Sequence, residues 1–168
     1  HQFHPARPLS VHVNVSARQL DDSRFVDTVM ECLEGSALTA HHLVLELTET
    51  VVLNSPKAIQ RLKAIAARGI KIGIDDFGTG YSSLTTLRSL PVGVIKLDHT
   101  FIAGALGNPV DRAVIKAIVE MSSQLGLQAI AEGVERVEQQ TFLEEIGTDG
   151  VQGFLYLRPV TAAQLTTW

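Results

Sequence analysis

The sequence predicts a parallel (β/α) barrel, and three observations predict it. Six apolar, strand-like runs occur in order, each followed by a helix-like segment. Neither a low-complexity tract nor an internal linker interrupts them. Five of the six strands carry a polar or charged residue at or beside the C-terminal end: Asn14, Glu46, Asp75 with Asp76, Lys96, and Glu132. Strand–helix alternation implies a parallel sheet with right-handed crossovers. An open doubly wound sheet concentrates function at one switch point, whereas a barrel brings every strand end to one mouth. Five ends out of six favour the barrel. Spreading 168 residues over six units gives about 28 each, so eight units need about 224, near the ~250 of such barrels. About two βα units are therefore expected upstream of the first strand.

The elements read in order as follows. Val11–Val15 is the first strand, and 22–34 its helix. Leu43–Leu47 is the second strand; its helix opens at Ser55-Pro56, an N-cap and first-turn pair, and closes at Gly69. Ile70–Asp75 is the third strand, followed by a Gly-rich loop and a short helix over 82–89. Val92–Leu97 is the fourth, and Asn108-Pro109 opens a helix to Leu125. Leu127–Ala131 is the fifth, with a helix over 137–146 closed by Gly147. Val151–Leu155 is the sixth, which places Gln152 near its start, and Thr161 caps a last short helix. Residues 1–8 read as linker and 9–168 as one domain.

Formal net charge is −4, so no DNA binding is expected. The single cysteine, Cys32, excludes an internal disulfide and a thiolate zinc site. It fits a reducing cytoplasm, the expected location. No apolar run approaches the roughly 20 residues of a membrane span, although a parent protein anchored elsewhere is compatible with this chain.

Period-two alternation puts Asn14 on one strand face with His12, and Val11, Val13 and Val15 on the other, against the helices. By the same rule Glu46, Asp75 and Glu132 join Asn14 on the lumen rim, with Asp76 next door. Carboxylates so crowded raise each other's pKa unless a cation intervenes. All-oxygen donors suit Mg²⁺ or Mn²⁺, and four or five of them suit two ions, which together can activate water and clamp a phosphate. Lys96, a strand-end lysine, is expected to hold or deprotonate a water or to neutralise a phosphate oxygen; Gln152 is expected to orient water or substrate. Gly78-Thr79-Gly80 lacks the third glycine of a dinucleotide fingerprint but makes a loop that Glu49 can reach. His12 reads as lumen filler and Cys32, beside Val29 and Leu33, as core.

These residues resemble the EAL domain of bacterial cyclic di-GMP phosphodiesterases. Ser10-Val11-His12-Val13-Asn14-Val15-Ser16-Ala17-Arg18-Gln19-Leu20 is similar to its Asn-bearing strand, and Leu45-Glu46-Leu47-Thr48-Glu49-Thr50 to its Glu-x-Thr-Glu element. Ile74-Asp75-Asp76-Phe77-Gly78-Thr79-Gly80 resembles its Asp-Asp-Phe-Gly loop. Ile95-Lys96-Leu97-Asp98, Glu132-Gly133-Val134-Glu135 and Gln152-Gly153-Phe154 complete the series. The resemblance implies a TIM-like barrel of the EAL type without its first two strands. Asn14, Glu46, Asp75, Asp76 and Glu132 would hold two divalent cations, Mg²⁺ or Mn²⁺, with Lys96, Asp76 and Gln152 as catalytic groups. Gln19, Asp98, Glu135 and Gly153 would meet substrate. Glu49 would anchor a regulatory loop of Phe77, Gly78, Thr79 and Gly80 at a dimer contact. The reaction implied is hydrolysis of cyclic di-GMP to linear pGpG; the alternative is a non-catalytic receptor of the same fold. A homodimer and a fused sensor or diguanylate-cyclase-like domain upstream are expected partners. The chain contains no Glu-Ala-Leu run, so the isolated chain is expected to hydrolyse poorly.

Overall fold

The computed structural model describes residues 10–48, 56–79, 87 and 89–165. Six strands form one parallel sheet in sequence order: β1 (Val11–Asn14), β2 (Leu43–Thr48), β3 (Lys71–Phe77), β4 (Val92–Leu97), β5 (Gln128–Ala131) and β6 (Gly150–Val151). Helices connect them: α1 (Ala17–Asp21), α2 (Phe25–Glu34), α3 (Pro56–Ala66), α4 (His99–Gly104), α5 (Pro109–Gln124), α6 (Val137–Glu145) and α7 (Ala162–Leu165). Strand β2 is buried on both faces, as expected where helices cover one side and the curled sheet the other.

The helix-facing residues Leu45, Leu47, Ile72, Ile95, Leu97 and Ala129 join Leu62, Ile65 and Ile115 of the helices in one core. The opposite face of the sheet carries Val44 and Glu46, Gly73 and Asp75, Val94 and Lys96. Parallel register places Glu46 beside Gly73 and Gly73 beside Val94. Helix ends follow sequence punctuation. Asn108 accepts a hydrogen bond from the Val110 N–H, Pro109 opens α5, and Gly126 beyond it takes φ +70°. Thr161 and Gln164 exchange the bonds that start α7.

The structure corrects four expectations. The helix after β1 is two helices. Ser16 and Gln19 form a capping box that starts α1 early, and the Asp22 carboxylate accepts the Arg24 N–H at 2.8 Å, turning the chain before α2. An unexpected helix, α4, follows β4 because Asp98 caps it. Strand β6 ends at Val151, so Gln152 stands just past a C-terminal strand end, as Glu132 does after β5. Val11 and Val13 are 44% and 43% exposed, and Cys32 is exposed too. All three line an open groove of about 470 Å³ between β1 and α2, because β1 is an edge strand whose apolar face α2 does not cover. The expected helix over 82–89 lies almost wholly outside the described residues, as do Ser55 and the linker at 1–8.

Candidate metal centre

Strand register sets the site. Glu46 on β2 lies beside Gly73 on β3, where a Cβ would stand 3.5 Å from the Glu46 Cγ and 3.4 Å from Val44 Cγ1. Those distances admit a methyl group but nothing larger, so glycine at this position keeps a bulky side chain out of the space between Glu46 and β4. The Glu46 Oε2 therefore reaches the Lys96 ammonium on β4, which donates to it at 2.8 Å. Lys96 also pairs with Asp75 at 3.4 Å and with Glu132 just past β5. Glu46 is 3% exposed and Lys96 4%.

Asp75 and Asp76 are consecutive, so a regular strand would turn them to opposite faces. The β3–β4 register shifts between Ile74 and Phe77, and Asp76 takes φ +54°. This bulge re-aims Asp76, and left-handed backbone is tolerated better by aspartate than by most residues. Carboxylate oxygens of Asp75, Asp76 and Glu132 consequently lie within 4.8 Å of one another.

Electrostatics follow from this crowding. Burial, then the charges of Asp75 and Asp98, push the Asp76 carboxyl up. Burial also raises Glu132; Asp75 and Glu46 add to the rise while Lys96 opposes it. Glu46 moves the other way: burial would raise it, but hydrogen bonds from His12 and Lys96 overcome that and hold it below its ordinary value. Burial would lower Lys96, yet its bonds to Glu132 and Glu46 lift it well above its usual range. In this metal-free arrangement Lys96 is held as an ammonium, a form suited to holding water or an anion. One ammonium does not neutralise Glu46, Asp75, Asp76 and Glu132 together. The surplus negative charge and all-oxygen donor set fit a hard divalent cation.

The other predicted residues are placed as follows. Asn14 ends β1 beside Glu46 in register and is exposed. Gln152 is exposed, its backbone tied to Ala131 and Val134. Gln19 serves the α1 capping box through its Oε1. Asp98 is buried and accepts from the Thr100 N–H, the Thr100 hydroxyl and His99. Glu135 is exposed, its N–H donating to Gln139. A Cβ on Gly153 would stand 2.1 Å from the Val134 carbonyl oxygen, so this glycine allows two loops to touch. Phe77 is buried, Gly78 takes φ +98° against Phe101, and Thr79 donates to the Asp76 carbonyl at 2.9 Å. Glu49 and Gly80 lie outside the described residues.

Two residues gain roles that sequence reasoning missed. His12 is not a lumen filler: its Nδ1 lies 2.6 Å from the Glu46 Oε1. Shared strand parity with Asn14 and Glu46 was the available signal. Gln139 is buried in α6 and bridges it to α4, donating to the Ile102 carbonyl and accepting from the Glu135 and Arg136 N–H groups.

The family model for the EAL domain matches residues 1–159. The chain belongs to the EAL family. It is 41% identical over 157 residues to the bifunctional diguanylate cyclase/cyclic di-GMP phosphodiesterase MucR of Pseudomonas aeruginosa, covering 93% of this chain and 23% of MucR. The EAL chain thus spans under a quarter of that relative. The solved PaMucR phosphodiesterase in complex with c-di-GMP superposes with TM-score 0.86 at 41% identity, over 93% of this chain and 64% of that one. The Klebsiella pneumoniae BlrP1 manganese/cy-diGMP complex superposes with TM-score 0.81 at 30% identity, over 87% of this chain and 38% of that one. The TIM-like (β/α) barrel architecture expected from the strand ends is that of these EAL structures. No described helix is long and apolar enough to cross a membrane.

Proposed function

We propose that this EAL chain carries the metal-dependent site of a cyclic di-GMP phosphodiesterase, hydrolysing one phosphodiester to give linear pGpG. The observation that carries the reading is the convergence of Asp75, Asp76 and Glu132 oxygens at the strand-end rim. Support comes from a relative and solved neighbours whose names give cyclic di-GMP phosphodiesterase activity, bound c-di-GMP and manganese.

Asn14, Glu46, Asp75, Asp76 and Glu132 would hold two divalent cations, Mg²⁺ or Mn²⁺. Bound there, such ions supply Lewis-acid polarisation of a phosphate and an activated water. The chain's own residues do the rest. Lys96 presents an ammonium to a water or phosphate oxygen and offsets the repulsion between Glu46 and Glu132, both of which it pairs with. Gln152, at the last strand end, orients water. Gln19, Asp98, Glu135 and Gly153 border the nucleotide; the last three stand on loops beyond β4, β5 and β6. Glu49 steadies the loop of Phe77, Gly78, Thr79 and Gly80. Residues 9–168 would form one domain behind a linker, in a cytoplasmic homodimer with a sensor or cyclase-like domain upstream; the bifunctional name of MucR supports the cyclase-like alternative.

The test is incubation of the full-length protein with cyclic di-GMP and Mn²⁺, with products separated by chromatography. Appearance of pGpG is expected. Tight binding without turnover would favour a receptor, and neither binding nor turnover would overturn the reading.

A further inference from the structure

The Glu46 carboxylate is gripped from two sides. Lys96 donates to Oε2 at 2.8 Å from β4, and His12 sits 2.6 Å from Oε1 from β1. A carboxylate only accepts, so at 2.6 Å the His12 Nδ1 carries the proton between them. The two donors differ in what else they can do. Lys96 is shared among Glu46, Asp75 and Glu132. Among the described residues, His12 hydrogen-bonds to Glu46 alone. A carboxylate oxygen has two acceptor directions, so Oε1 can keep the His12 bond and still face a cation.

We propose that His12 is a positioning residue: its Nδ1–H fixes the rotation of the Glu46 carboxylate and thereby sets the affinity of the rim for divalent cations. The inference rests on the phosphodiesterase reading of the same site. It also gives the edge strand a task. His12 lies across from Val44 in register and reaches two residues forward to Glu46. Strand β1 is thereby tied to the charged rim by a side chain as well as by its backbone ladder.

The experiment uses the full-length protein and its His12→Ala and His12→Asn variants. Manganese affinity is read by titration calorimetry, turnover as kcat and KM separately, and folding by thermal melts. Groups that hydrogen-bond a ligand are worth about 10–100-fold in metal affinity. His12→Ala should weaken manganese binding by that factor and lower kcat at subsaturating metal, with KM for cyclic di-GMP little changed. His12→Asn, which returns an N–H donor near the Nδ1 position, should recover most of the affinity. Manganese affinity of His12→Ala within about twofold of wild type, or no recovery in His12→Asn, would overturn the inference. A lower melting temperature with unchanged manganese affinity would also overturn it, because His12 would then only support the fold. Wild-type protein that neither binds manganese nor turns over cyclic di-GMP would overturn the underlying phosphodiesterase reading instead.

Discussion

Strands β1 and β2 carry the same alternation of apolar and polar side chains and meet different fates. On β2, Leu43, Leu45 and Leu47 are buried under helices, and Glu46 is buried on the other face in a web with Lys96. On β1, Val11 and Val13 open onto a groove, and Asn14 at the rim is exposed. The alternation assigns a residue to a face; a neighbouring strand on each side decides whether that face is buried. The central rim from β2 to β5 is consequently assembled by the sheet itself, with charges held at fixed separations. Among the described residues, the side chain that ties the edge strand to that rim is His12, which meets Glu46.

If the centre is the pre-built part, changes there should do the most damage. Asp75→Asn keeps the shape and removes one charge of the cluster. Even groups that only support a ligand are worth about 10–100-fold, so loss of a ligand should lower Mn²⁺-dependent turnover by at least about 100-fold while the circular dichroism spectrum persists. Full turnover would remove Asp75 from the centre.

Next in size is Lys96→Met, which strips the ammonium from three carboxylates. Removing one partner of a buried ion pair costs about 3–5 kcal/mol. Metal-free protein should lose stability of that order in denaturant melts, and Mn²⁺ should restore more of it than wild type gains. Equal losses with and without Mn²⁺ would mean that the metal does not neutralise these groups.

Gly73 tests the space between Glu46 and β4. Gly73→Ala places its Cβ at ordinary contact distance, 3.5 Å from Glu46 Cγ, and should be nearly silent. Gly73→Val adds methyls against Glu46 and Val44 and should cost about 1–3 kcal/mol of overpacking. It should also weaken manganese binding by about tenfold, read by calorimetry. Unchanged binding by Gly73→Val would show that Glu46 does not depend on that space.

The smallest effect concerns pH. The Asp76 carboxyl is raised above 3.8, so the folded state resists its ionisation and metal-free stability falls as pH climbs from about that value through the raised one. Asp76→Asn removes this fall. Metal-free Asp76→Asn should match wild type near pH 3 and melt higher at pH 7, with the gap opening in between. A constant gap would assign the difference to packing.

The strand ends were legible in the sequence because a parallel barrel exposes its chemistry there. Glu46, Asp75, Lys96 and Glu132 all face one site. Three features escaped alternation. The bulge that turns Asp76 beside Asp75 is a backbone event that no pattern of side chains announces. The capping box of Ser16 and Gln19 adds a short helix ahead of the one expected at 22–34, because local side-chain hydrogen bonds start it where no apolar pattern marks a helix. The exposure of Val11, Val13 and Cys32 depends on what stands beside β1, which the residues of β1 do not specify.

The central claim is that a divalent cation is bound between the side chains of β3 and the end of β5. Anomalous diffraction at the manganese edge, from crystals of the full-length protein grown with Mn²⁺, tests it most directly. The account predicts manganese in contact with carboxylate oxygens of Asp75, Asp76 and Glu132. Manganese bound elsewhere, with Lys96 alone among these carboxylates, would contradict it.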